Sequence, residues 1–192
     1  SVSPPTSPSS SALRERCDAV GALLILDEVQ CGMGRTGQPF GANYFGVRPD
    51  MVTTAKALGN GFPVAALLMS PAVTQALKLE GLGTTFGGGP MACAVVEAVV
   101  EAIESGKLLD NVKDVSAYIR QTCVVGPVVG SQGAGFLLGL KTSRPAKEVQ
   151  AALLAQNILT GTSGDPQVVR LLPPYTLERQ HVDLLTAALQ TI

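Results

Sequence analysis

Two acidic residues and one lysine in the first third of this chain have types and surroundings suited to chemistry. Asp27 and Glu28 close an apolar run from Ala22 to Leu26, and Lys56 stands just past a second run, DMVTTA. The first run is short and unbroken, the pattern of a strand buried on both faces in a parallel sheet. Open sheets of that kind bind ligands beyond the C-terminal ends of their strands. Lys56 is flanked by Ala55, Ala57 and Leu58, a setting that would desolvate it, disfavour the ammonium and favour a nucleophilic amine. An acid at one strand end and an amine at the next are two parts of a pyridoxal phosphate site: an amine for a Schiff base and an anion for the protonated pyridine nitrogen. Taken singly, both residues have plainer readings. Asp27 alone reads more simply as capping a helix or pairing with an arginine, and Lys56 alone as snorkelling from a strand end.

A third part would be a set of phosphate donors. Gly83 to Gly89, GTTFGGG, offers hydroxyls and closely approaching backbone N–H groups just before a helix start, where anions are stabilised. An ordinary connection would read the same way.

The elements that must position these residues follow from periodicity and punctuation. SVSPPTSPSSS, residues 1–11, has too little apolar surface to offset ordering and is expected to be extended. ALRERCDAVG reads as a helix, ALLIL, DMVTTA and PVAALLM as strands, PAVTQALKLE as a short helix, and Met91 to Ser105 as an apolar helix. From Lys107 the texture changes to charged-faced helices alternating with strands of mixed polarity. KLLDNVKDVSAYIRQTC, AKEVQAALLAQ and LERQHVDLLTAALQTI are helical, while GAGFLLGLKT and QVVRLLPP are strands. The expected organisation is residues 1–11 as a Ser/Pro-rich segment, 12–106 as part of a larger α/β domain, and 107–192 as a small C-terminal α/β domain.

Composition narrows the function classes. The 192 residues are 46% apolar and 15% charged, with 14 basic and 15 acidic residues and a net charge of −1. That balance supplies no positive field for nucleic acid or an anionic membrane. With 21 glycines and 13 prolines, many turns must separate short elements, which points to α/β or α+β. Four cysteines without a C-x-x-C pair, and a single histidine, make a zinc site untenable; no metal is expected. No apolar run is long enough to span a bilayer. The start has neither a basic segment nor an apolar core, and the thiols read as reduced, so a cytoplasmic location is expected.

The stretch LLILDEVQCGMGRTGQPFGANYFGVRPDMVTTAKALGNGFPVAALLMS resembles the core of the class III aminotransferases, the ornithine and acetylornithine group of fold-type I pyridoxal phosphate enzymes. DEVQ, GRTG, the Pro49-Asp50 pair before the lysine strand, AKALGNGFP and TTFGGGPMACAV carry the likeness, which is nearly continuous from Leu23 to Val96 and weaker beyond. It implies the C-terminal part of a large, mostly parallel domain followed by a small α/β domain. Lys56 would carry the cofactor as a Schiff base and shuttle a proton at the substrate α-carbon. Asp27 would pair with the pyridine nitrogen, and Gln30 would hydrogen-bond the phenolic oxygen. Thr85 would reach the phosphate in a neighbouring subunit, implying a homodimer with shared sites. Arg170 would take the substrate α-carboxylate, to which a planar guanidinium is suited. The implied reaction moves an amino group from an ornithine- or acetylornithine-like donor to 2-oxoglutarate.

The likeness has departures. Gly89 stands where the family has asparagine, and Leu82 near a common histidine. The family's same-subunit phosphate cup, its ring-stacking aromatic and much of its substrate pocket have no counterpart in these residues. Two other readings therefore stand beside the aminotransferase: a non-catalytic homologue serving as a binding or structural module, and a decarboxylase or aminomutase of the same fold. An uncovered sheet edge would also favour association or poor solubility. Among other residues, Arg35 could serve a subunit contact, an active-site entrance or its own loop. His181 and Cys31 read as surface and packing residues, and Glu97, Glu101 and Glu104 as a solvated stripe.

Overall fold

In the computed structural model, residues 7–78 and 81–192 are described. The chain divides into two compact units: one runs from the start of α1 to Gly34 and takes in Gln38–Lys107, and the other is Arg35–Gly37 with Leu108–Ile192.

The first unit is built on three strands in the order β1 (Ile25–Asp27), β2 (Met51–Thr54), β3 (Ala66–Met69). β1 runs parallel to β2, pairing Asp27 with Thr53, whereas β3 returns antiparallel, pairing Thr54 with Ala66. The sheet is thus mixed: one of its two pairings is parallel. Helix α1 (Ser7–Val20) begins earlier than composition suggested, taking in Ser7–Ser11. Serine does not break a helix, and Pro8 falls in the first turn, where a missing N–H costs nothing. Residues 1–6 of the expected extended segment lie outside the described residues. Short helices α2 (Gly41–Phe45) and α3 (Pro71–Ala76) and the long α4 (Pro90–Ser105) complete this unit.

The Pro49-Asp50 pair explains how β1 and β2 are held level. Asp50 Oδ2 accepts from the Leu24 N–H and from Arg14 Nη1, both at 2.7 Å, while Asp50 N–H donates to the Leu24 carbonyl at 2.8 Å. The Leu24 amide and the Arg14 guanidinium hold the Asp50 carboxyl below its ordinary value. A carboxyl depressed on folding contributes stability above its unfolded value and loses it as pH falls through the folded one. Asp50→Asn is therefore expected to flatten the acid limb of the stability curve below about pH 4, measured by urea midpoints against pH. An unchanged limb would remove Asp50 from this role.

β1 is not buried on both faces. Ile25 is 53% exposed, and Leu23, Leu67 and Leu68 are also exposed, as is Met91 on α4, a helix with no buried residue. Apolar strands have formed here without a covering layer among the described residues of this chain. Surface of this kind drives association. Light scattering at micromolar concentration is expected to show dimers or larger species, and a clean monomer would count against that.

The second unit carries its own core. Strands β4 (Val128–Ala134), β5 (Leu137–Thr142), β6 (Gly161–Thr162) and β7 (Val168–Leu171) form a wholly antiparallel sheet in the order β4-β5-β7-β6. Helices α5 (Leu108–Thr122), α6 (Ala146–Ala155) and α7 (Arg179–Gln190) pack onto it. Val112, Val115 and Ile119 of α5 and Val182, Leu185 and Leu189 of α7 recur at helical spacing and close over Phe136, Leu138, Leu140 and Val169. β4 and β6 were not anticipated, because VVGSQGA is glycine-rich and Gly161-Thr162 is too short to show a period.

Candidate active site

Parallel pairing of β1 with β2 brings their C-terminal ends to one edge of the first sheet. Asp27 is the last residue of β1, and its register partner Thr53 lies three residues before Lys56. The Asp27 carboxyl is oriented through one oxygen: Oδ1 accepts from Val29 N–H at 3.0 Å and from Thr53 Oγ1 at 3.2 Å. The described contacts of Asp27 leave Oδ2 free to accept from a ligand. Gln30 follows in the turn after β1 and is exposed.

Lys56 opens a single 3-10 turn, Lys56–Leu58, with φ of 47°. This left-handed conformation costs a non-glycine residue about 1–2 kcal/mol. The turn compensates: the Lys56 carbonyl accepts from Gly59 and Asn60 N–H at 3.1 Å each, and Leu58 N–H donates to Ala55 O at 3.0 Å. At Gly59 a Cβ would lie 2.3 Å from the Phe62 carbonyl, so only glycine lets GNGFP fold back against the lysine turn. The expected desolvation of Lys56 is not found. Leu58 is buried, but Lys56 is exposed, and among the described residues it forms no ion pair. Strain held at an exposed residue is a mark of sites where the backbone is shaped for function.

The acidic pair divides its labour. Glu28, which the sequence left beside Asp27 without a role, is 2% exposed and accepts from the backbone N–H groups of Gly41 and Ala42 at the start of α2. The capping role open to Asp27 is thus taken by Glu28. Cys31 Sγ lies 3.6 Å from Glu28 Oε2. Burial, reinforced by the Glu28 charge, pushes the Cys31 thiol up to about 11, so it stays protonated and inert at neutral pH. Iodoacetamide at pH 8 is expected to alkylate exposed Cys93 well before Cys31, read by peptide mass; equal rates would contradict this burial.

Thr85 lies in the exposed loop before α4, where Gly87 N–H donates to Thr84 Oγ1 at 3.1 Å. No described contact ties Thr85 to Asp27 or Lys56. Arg170 stands on β7 in the second unit, exposed between buried Val169 and Leu171. Arg35 is held by segments distant in sequence: its Nη1 donates to Pro173 O at 2.5 Å, its guanidinium lies 4.5 Å from the Tyr175 ring centroid, and its carbonyl accepts Phe136 N–H at 2.8 Å. His181 Nδ1 accepts Glu178 N–H at 3.2 Å, a cap at the start of α7. No metal-binding cluster and no helix long and apolar enough to cross a membrane occur among the described residues.

The chain is similar to known proteins over most of its length. The family model for aminotransferase class-III matches residues 2–192. A mitochondrial acetylornithine aminotransferase of Yarrowia lipolytica is 40% identical over 177 residues, covering 89% of this chain and 42% of that protein. Acetylornithine aminotransferase of Methanocaldococcus jannaschii is 35% identical, covering 94% and 46%. Among solved structures, N-acetylornithine aminotransferase from Stenotrophomonas maltophilia superposes with a TM-score of 0.82 at 34% identity, over 94% of this chain and 49% of that one. The chain spans about half the length of the curated relatives it matches. With a family match over nearly its whole length and a mixed α/β fold shared with solved members, the chain belongs to the class III aminotransferases.

Proposed function

We propose that this chain forms the lysine-bearing part of a pyridoxal phosphate-dependent aminotransferase that moves an amino group from an ornithine- or acetylornithine-like donor to 2-oxoglutarate. The observation that carries the reading is the left-handed, exposed Lys56 just past the end of β2, beside a strand that ends in an oriented Asp27 carboxyl. The donor set fits the cofactor: among the described residues, an amine without an ion pair and a carboxylate with one oxygen uncommitted, and an amide two residues beyond Glu28 in the same turn. When bound, pyridoxal phosphate supplies an electron sink next to the substrate carbon that bears the amine.

The protein's own residues do the rest. Lys56 Nζ would hold the cofactor and, once freed, would take the proton from the substrate carbon that bears the amine and pass it to the cofactor's former aldehyde carbon. Asp27 Oδ2 would hold the proton on the pyridine nitrogen. The Gln30 amide would hydrogen-bond the phenolic oxygen. Thr85 would donate to the phosphate of a neighbouring subunit, completing each site across a homodimer. Arg170 would take the α-carboxylate, to which a planar guanidinium is suited. The named acetylornithine aminotransferases among the relatives support this choice of donor. The free thiols at Cys17, Cys31, Cys93 and Cys123 suit a reducing, cytoplasmic compartment.

The test is to add pyridoxal phosphate to the purified chain, reduce with borohydride and locate the adduct by peptide mass. Saturable labelling confined to Lys56 is expected. Labelling scattered over exposed lysines, or none, would overturn the reading in favour of a non-catalytic homologue.

A further inference from the structure

We propose that Glu28 is a positioning residue for the two groups that flank it, the Asp27 carboxyl and the Gln30 amide, and that it acts by anchoring their turn to the start of α2. The inference rests on the cofactor roles proposed above for Asp27 and Gln30.

An acid that is 2% exposed is rare unless its charge is met, and among the described residues Glu28 forms no ion pair. Backbone amides meet it instead. Oε2 accepts from Gly41 N–H, and Oε1 accepts from Ala42 N–H at 2.7 Å. The Cys31 thiol adds a weaker contact to Oε2 from within the same turn. Both oxygens are thus engaged, an arrangement open to a carboxylate and not to an amide, whose NH2 would face one of the two N–H donors.

The surrounding backbone makes the anchor short and stiff. A Cβ on Gly41 would lie 3.1 Å from Glu28 Oε2 and 3.4 Å from Cys31 Sγ, so glycine gives the carboxylate its close approach. Glu28 N–H donates to Thr53 O at 2.9 Å, and Glu28 O accepts Gly32 N–H at 3.0 Å. Glu28 is therefore held to β2, to its own turn and to α2. The Val29 N–H that orients Asp27 Oδ1 belongs to the next residue, and Gln30 follows it. If the Glu28 carboxylate lets go, the peptide carrying the Val29 N–H is freed on its α2 side and Asp27 loses one of the two bonds that aim it.

The test compares wild type with Glu28→Gln by amide hydrogen exchange and by pyridoxal phosphate labelling. A mere helix cap would speed exchange at Gly41 and Ala42 alone. Positioning also predicts exchange at Val29 faster by at least about tenfold, as for a lost charge-assisted bond, with Val52 in mid-β2 unchanged. It further predicts a half-saturating pyridoxal phosphate concentration at Lys56 raised by at least about tenfold. Gly41→Ala, which crowds the carboxylate instead of removing it, gives a smaller shift in the same amides and serves if Glu28→Gln does not fold. Unchanged Val29 exchange in both variants would overturn the proposal, as would faster Val29 exchange with unaltered Lys56 labelling. Absence of Lys56 labelling in wild type would overturn the cofactor role for Asp27 and Gln30, and with it this assignment, whereas the exchange pattern still decides whether Glu28 anchors the turn.

Discussion

Replacing Lys56 with alanine is expected to abolish the borohydride-stable pyridoxyl adduct at its peptide while leaving far-UV circular dichroism unchanged. The reasoning is local. Lys56 is exposed and has no ion pair among the described residues, so truncating it removes little buried surface and no charge partner. What it removes is an amine placed just past the C-terminal end of β2, where the turn holds a left-handed φ of 47°. Alanine keeps that strain. Glycine, which adopts positive φ at little cost, should raise stability by about 1 kcal/mol at the same position while remaining unlabelled. A stabilised Lys56→Gly chain without adduct would show backbone strain retained at a working lysine. Labelling of the Lys56→Ala chain equal to that of wild type, displaced to other lysines, would mean that no specific site exists.

The largest effect on stability is expected from Phe136→Ala. Phe136 has no exposed surface and sits between β4 and β5, in contact with the core to which α5, α6 and α7 all contribute. Truncating a buried phenylalanine costs about 3–5 kcal/mol, the transfer term plus the cavity left behind, against a total of about 5–15 kcal/mol for a typical domain. Urea unfolding should show that fall. Leu184→Ala, on the exposed face of α7, is the matched control, expected within about 0.5 kcal/mol of wild type. A Phe136→Ala cost near that of Leu184→Ala would mean that the second unit is not organised around this residue.

How much could be read without coordinates differed between the two units. α5, α6 and α7 were legible because Val112, Val115 and Ile119, and likewise Val182, Leu185 and Leu189, repeat at the helical period and are buried on that account. β4 was not, since its glycines carry no alternation, and its pairing with β5 depends on residues distant in sequence. In the first unit the unbroken apolar runs showed where strands would lie. They could not show that β3 would turn antiparallel, because direction depends on the connection and not on hydrophobicity.

The expected site residues come from the sequence: residue type and position single out Asp27 and Lys56, the resemblance to class III aminotransferases implies Gln30, Thr85 and Arg170, and the family match supports that class. Which member of the Asp27-Glu28 pair faces outward was decided only in three dimensions. Adjacent residues at a strand end point to opposite faces. One face meets the amides of α2, whose approach requires Gly41, and the other meets Thr53, and neither neighbour is near in sequence. The exposure and the left-handed φ of Lys56 were likewise decided in three dimensions, since its apolar flanks gave no reason to expect either.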